Sequence, residues 1–131
     1  MRLGVTGALR RGGGVIERER GGDFGAGADA TGMQTTAVKD GGEWVIDGAK
    51  QFITNAGTEL SGHVAITART GENEISNIIV ENGRQGYEQG EPYRKMGWNA
   101  SDTRPLTFDD CRVPAANLLG PRGNGLRQFL H

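Results

Sequence analysis

"EWVIDGAKQFITNAG", residues 43–57, decides how this chain is read. Trp44, Val45 and Ile46 form one apolar arm and Phe52-Ile53 closes another, with Asp47-Gly48 between them. Asp-Gly between apolar arms predicts a type I′ hairpin, because both turn residues need positive φ. The second arm ends in Phe52-Ile53-Thr54-Asn55: a ring, an aliphatic and a hydroxyl in a row. A surface hairpin gains nothing from that ending. The wall of a binding site does.

The same reading extends in both directions. "MQTTAVKD" (33–40) is rich in Thr and Val and stops at the turn signal Asp40-Gly41-Gly42. "HVAITAR" (63–69) alternates as a half-buried strand should, and "EISNIIVEN" (74–82) is a further strand. "GYEQG" (86–90) is a short edge piece. "RPLTFDDCRVP" (104–114) puts Leu106 and Phe108 on one face and ends at Pro114, which forbids simple continuation. "GNGLRQFLH" (123–131) reads as a helix start, with Leu126, Phe129 and Leu130 on one face. Short strands at near-regular spacing between glycine turns predict an all-β fold, an antiparallel β-barrel or two packed sheets, with the start of a C-terminal helix.

The 131 residues suffice for one modest core. A net charge of −1 gives no basic field to recruit nucleic acid or an acidic membrane. No apolar run approaches the ~18 residues of a membrane span. A single cysteine, Cys111, excludes an internal disulfide and suits a cytoplasmic address. Glycine is the outlier: of 23, ten fall in the first 32 residues. That skew separates a glycine- and arginine-rich lead-in, 1–22, expected to be poorly ordered or at most to form a short piece near Gly14 to Glu19. The β-domain follows at 23–122, and the helix start at 123–131.

"GAGADA" (25–30) has the letters of a dinucleotide-binding loop. It lacks the preceding apolar strand and following helix that would bring phosphate to a helix N-terminus. Its backbone N–H groups still suit phosphate. Asp109-Asp110 cannot converge on one ion from adjacent strand positions without a bulge, and reads as a solvated strand end. His63 has no matching metal-ligand partner. Trp44 and Trp98 read as core or interface residues. Asn99-Ala100-Ser101 fits a glycosylation sequon, but nothing indicates secretion. No Ser–His–Asp or Cys–His constellation is visible.

Taken together, Asp-Gly, Gly-x-Lys, Phe-Ile-Thr-Asn, Met-Gly, Ser-Asp-Thr-Arg, Phe-x-Asp-x-x-Val-Pro and Asn-Leu-Leu-Gly occur in an order and spacing that resembles the acyl-CoA dehydrogenase family. The likeness runs from about Asp23 to His131 and is narrowest with the family's middle β-domain. It implies FAD as cofactor, an acyl-CoA thioester as substrate, α,β-dehydrogenation as reaction, and a homo-oligomer as the complete enzyme. By resemblance Phe52, Ile53 and Thr54 form the flavin wall, with the Thr54 hydroxyl near the ring nitrogen that receives hydride. Gly25, Ala26, Gly27 and Ala28 pass the FAD pyrophosphate, and Ala28 also the thioester. Lys95, beside Arg94, lies toward the CoA part of the substrate.

Three departures stand out. Gly22-Asp23-Phe24 replaces the usual Thr-Glu-Pro, Ala28 replaces a serine, and Phe52 often corresponds to tryptophan. The first two remove hydroxyls that would reach the flavin and its phosphates. The resemblance assigns the catalytic glutamate to a helical domain, so no residue here is assigned as catalytic. The chain is expected to be a truncated or isolated piece, inactive by itself, that releases FAD without its helical partners. Its head is expected to be a shifted or mis-started lead-in. The alternative is a stand-alone β-barrel binding module without redox chemistry.

Overall fold

The computed structural model describes residues 14–16 and 34–129. Its strands are β1 (Gly14–Ile16), β2 (Thr36–Asp40), β3 (Glu43–Thr54), β4 (His63–Gly71), β5 (Glu74–Glu81), β6 (Tyr87–Gln89), β7 (Thr103–Pro114) and β8 (Leu118–Leu119). A 3-10 turn, Ala115–Asn117, precedes β8, and helix α1 covers Gly125–Phe129. The expectations for residues 1–22, apart from β1, and for the Gly25–Ala28 loop fall outside the described residues.

All-β is what the sequence predicts and what the fold is. The strands make one mixed sheet in the order β6-β7-β3-β2-β4-β5-β8, with β1 beside β4. Most pairings are antiparallel; β1 and β2 each run parallel to β4. β2 meets β4 only at Thr36 and Arg69, whose N–H donates to the Thr35 carbonyl at 2.8 Å. The two halves of the sheet are therefore hinged at one narrow joint. They close over one core, in which Trp44, Ile46, Leu106, Phe108 and Val113 from one half meet Val64, Ile66, Ile78 and Val80 from the other. Packing of these branched and aromatic side chains removes apolar area from water and is the main stabilising term.

The turn at Asp40-Gly41-Gly42 forms as predicted, with Gly41 at φ 60° and Asp40 opposite Glu43. The Asp47-Gly48 hairpin does not. β3 runs straight through it as a single strand of twelve residues. Both arms pair with β7, so the partner of the second arm, from Ala49↔Thr107 to Thr54↔Thr103, is distant in sequence and not its neighbour. Asp-Gly instead marks a β-bulge, where Asp47 faces the two residues Asp109 and Asp110. The extra residue, Asp110, takes φ 46°, and its N–H donates to Asp47 Oδ1 at 2.7 Å. Both aspartates are exposed. With the bulge the two aspartates no longer alternate simply across the sheet, yet no metal-holding cluster exists among the described residues.

β4 also differs from the half-buried strand expected. Val64 through Ala68 are all buried. The outer face is covered where α1 lies on β5: Asn77 Nδ2 donates to the Gly125 carbonyl at 3.2 Å and to Gln128 Oε1 at 2.6 Å. Ala65 and Thr67, on the outer face, are 4% exposed each.

Gly48 has φ 148°, and a Cβ on it would lie 2.7 Å from the Thr35 Cα. Gly41 also has positive φ, but a Cβ there would meet nothing within 4 Å. Gly48→Ala should therefore cost about 2–3 kcal/mol and Gly41→Ala only about 1 kcal/mol. Urea unfolding of the two variants reads the difference; equal losses would contradict this packing. Cys111 is fully buried, and burial pushes its thiol from 9.0 up to about 11. An unfolded thiol ionises first, so stability falls as pH rises from about 9 to about 11, by on the order of 2 kcal/mol. Cys111→Ala should flatten that part of the stability–pH curve.

Candidate functional site

A second bulge builds the site. Lys50 pairs with Leu106 and Ile53 with Arg104, which leaves Gln51 and Phe52 facing the single residue Pro105. Pro105 sits where the register slips, and its carbonyl accepts the Gly90 N–H at 2.9 Å on the side away from β3. The slip reverses the inward–outward alternation of β3. Trp44, Ile46 and Lys50 are buried, and strict alternation would bury position 52 next. Instead Ile53 turns in, at 4% exposure, and Phe52 turns out, at 67%.

Phe52 has φ 58° and Asn55 has φ 60°. A positive φ is unusual for a bulky side chain and costs of order 1 kcal/mol or more. The outward Phe52 ring meets Tyr93, with centroids 5.2 Å apart and planes tilted by 35°. Thr54 is exposed beside it, and its hydroxyl bonds to no other described residue. Opposite Thr54 stands Thr103.

The loop from Gly90 to Asp102 wraps this end of the sheet. Tyr93 N–H donates to the Thr103 carbonyl at 2.9 Å. Lys95 Nζ donates to the Ser101 carbonyl at 2.7 Å and to Thr103 Oγ1 at 2.9 Å. Met96 and Trp98, at the loop's tip, are 109% and 88% exposed, so Trp98 lies outside the core while Trp44 lies in it. Arg94 is exposed as well. The structure thus brings Phe52, Thr54 and Lys95 to one edge. Gly25, Ala26, Gly27 and Ala28 lie outside the described residues.

Sequence reasoning assigned no role to Tyr93, Asp102 or Arg104. The Asp-x-Arg spacing was a usable signal, since residues two apart on a strand share a face. Pro105 was another, because proline inside a paired strand marks a bulge. His63 opens β4 as expected, and no metal partner joins it among the described residues.

These groups suit a flat ring that is partly polar. Phe52 offers an exposed aromatic surface, and Thr54 an uncommitted hydroxyl at its side. Residues 22–111 match the family described as acyl-CoA dehydrogenase, middle domain. A probable acyl-CoA dehydrogenase of Bacillus subtilis is 45% identical over 111 residues, covering 81% of this chain and 29% of that protein. The long-chain specific acyl-CoA dehydrogenase of pig (Sus scrofa) mitochondria is 43% identical over 77% of this chain and 24% of its own length. Among solved structures, butyryl-CoA dehydrogenase from Megasphaera elsdenii superposes with a TM-score of 0.78 at 34% identity, covering 87% of this chain and 30% of that one. An acyl-CoA dehydrogenase from Bacillus anthracis complexed with FAD gives 0.76 at 34% identity, over 83% and 19%. The chain therefore spans less than a third of each of these relatives.

The two neighbours Phe52 and Ile53 separate by burial. Phe52→Gly deletes a large ring but also relieves the positive φ, so stability should stay within about 1 kcal/mol of the parent. Ile53→Ala should cost about 2–4 kcal/mol. Thermal unfolding compares them, and a large loss for Phe52→Gly would show that its ring belongs to the core.

Proposed function

This chain belongs to the acyl-CoA dehydrogenase family through its middle domain, and we propose that its Phe52–Thr54 edge is one wall of a flavin site serving acyl-CoA oxidation. The observation that carries this reading is the bulge opposite Pro105. It spends backbone strain to turn an aromatic ring away from the core and beside a free hydroxyl. Strain of that kind persists at sites where geometry matters to a ligand.

Bound FAD would supply the hydride acceptor. Phe52 would pack on the flavin and exclude water from it. Ile53 anchors the segment in the core, so that Phe52 and Thr54 hold a fixed position. The Thr54 hydroxyl would donate a hydrogen bond to the ring, where preorganised donors stabilise developing charge. Lys95 uses two of its three donors to hold the loop, leaving one for the acyl-CoA. Gly25 to Ala28 would offer backbone N–H groups to the FAD pyrophosphate and, at Ala28, to the thioester; this part rests on the sequence alone. The catalytic base would come from elsewhere in the assembled enzyme.

One wall is too little to hold a dinucleotide. Each hydroxyl absent at Gly22 and Ala28 removes roughly 0.5–1.5 kcal/mol, and more toward a charged phosphate. The 131-residue chain alone should thus show no saturable change in flavin fluorescence at micromolar FAD. Co-expression with the portions of the Bacillus subtilis relative that it does not span should yield a yellow protein. Thr54→Val should then shift the flavin absorption band with little loss of bound flavin. Tight FAD binding by the isolated chain, or an unshifted band in Thr54→Val, would overturn this reading.

A further inference from the structure

The strained segment needs something to hold it, and one carboxylate is placed to do so. Asp102 Oδ2 accepts the Gly57 N–H at 3.0 Å, and the Asp102 carbonyl accepts the Asn55 N–H at 2.9 Å. Asp102 Oδ1 accepts Arg104 Nε at 2.7 Å. Arg104 Nη1 in turn donates to the Gly90 carbonyl at 3.4 Å. The side chains of Asp102 and Arg104 are only 14% and 25% exposed. Gly57 lies flat against the Arg104 guanidinium, so closely that a Cβ there would overlap Nε and Cζ.

These bonds join two pieces at the end of the β3–β7 pair. One is the turn after Thr54, with its left-handed Asn55. The other is the loop that starts at Gly90 and carries Tyr93 and Lys95. Phe52 touches Tyr93 across the gap between them. Charge-assisted hydrogen bonds in a half-buried setting are the stronger kind. A left-handed non-glycine residue persists only where its surroundings over-determine it.

We infer that Asp102 and Arg104 are positioning residues: they clasp the 55–57 turn to the start of the 90–102 loop and so hold Phe52, Thr54 and Tyr93 as one surface. The functional meaning rests on the flavin-wall reading, but the clasp can be tested without flavin. The side chains of Asp102 and Arg104 act through the backbone of Gly57 and Gly90, while Asn55 is held by the Asp102 main-chain carbonyl.

The test is amide exchange and nuclear Overhauser contacts in the 131-residue chain, comparing the parent with Asp102→Asn, Arg104→Met and Arg104→Lys. Asp102→Asn keeps the shape of the side chain and removes its charge. The amide of Gly57, which the Asp102 carboxylate accepts, should then exchange about tenfold faster or more. The Phe52–Tyr93 ring contact should be lost, while amides of Ile66 and Ile78 in the core keep their rates. Arg104→Met should give the same local pattern, and Arg104→Lys should restore protection at Gly57. If Asp102→Asn fails to fold, the two Arg104 variants decide. Unchanged exchange at Gly57 with the ring contact intact would overturn the inference. So would equal acceleration of turn and core amides, which marks a general structural role. Because no flavin is present, failure here would leave the flavin wall standing.

Discussion

β3 and β7 are paired from Glu43 and Pro114 at one end to Thr54 and Thr103 at the other, and the register slips twice between them. The first slip inserts a residue into β7 at Asp109-Asp110; the second inserts one into β3 at Gln51-Phe52. The two shifts cancel, so both strands have twelve residues and their ends still match. Everything else depends on this constraint. Between the slips, Lys50, Leu106 and Phe108 face inward; beyond them Cys111 and Val113 do so on one side and Ile53 on the other. A single uncompensated bulge would turn the far half of a strand inside out. Two of opposite sense keep one continuous core while re-aiming a short stretch at its end. That stretch is Phe52.

How the core and the site share one strand pair follows from this. Ile53 is held by burial and Phe52 is released by the same bulge. Apolar burial fixes the position of the backbone to within a packed core, and the neighbouring exposed residues inherit that precision. The loop from Gly90 to Asp102 then closes the edge through polar contacts, with Lys95 on Thr103 and Arg104 on Asp102. The site is thus stiffened from below by packing and from the side by hydrogen bonds, while its outer surface stays open.

Strand identity was legible from alternation and turn residues, because burial of one face writes a period of two into the sequence. The β2–β3 turn at Gly41-Gly42 was legible for the same reason. Asp47-Gly48 was not. A local turn signal predicts local pairing, but the partner is β7, and no short-range rule sees a bulge created by a distant strand. The burial of both faces of β4 was hidden likewise, since it depends on what packs over the sheet and not on β4's own alternation. Phe52, Thr54 and Lys95 were singled out through motifs, whereas Tyr93, Asp102 and Arg104 were passed over. Their roles depend on partners that folding brings together, the Phe52 ring for Tyr93 and the Gly57 and Gly90 backbone for Asp102 and Arg104, which no local pattern marks. Lys50 shows the limit from the other side: it is wholly buried, and nothing in a lysine within "GAKQF" announces it.

We propose that the bulge opposite Pro105 presents Phe52 and Thr54 to a flavin. A crystal structure of the flavin-loaded assembly tests it most directly. The expected result is an isoalloxazine ring in van der Waals contact with Phe52, the Thr54 hydroxyl within hydrogen-bond reach of that ring, and φ at Phe52 still positive. A flavin bound away from this edge, or a Phe52 covered by protein rather than cofactor, would contradict it.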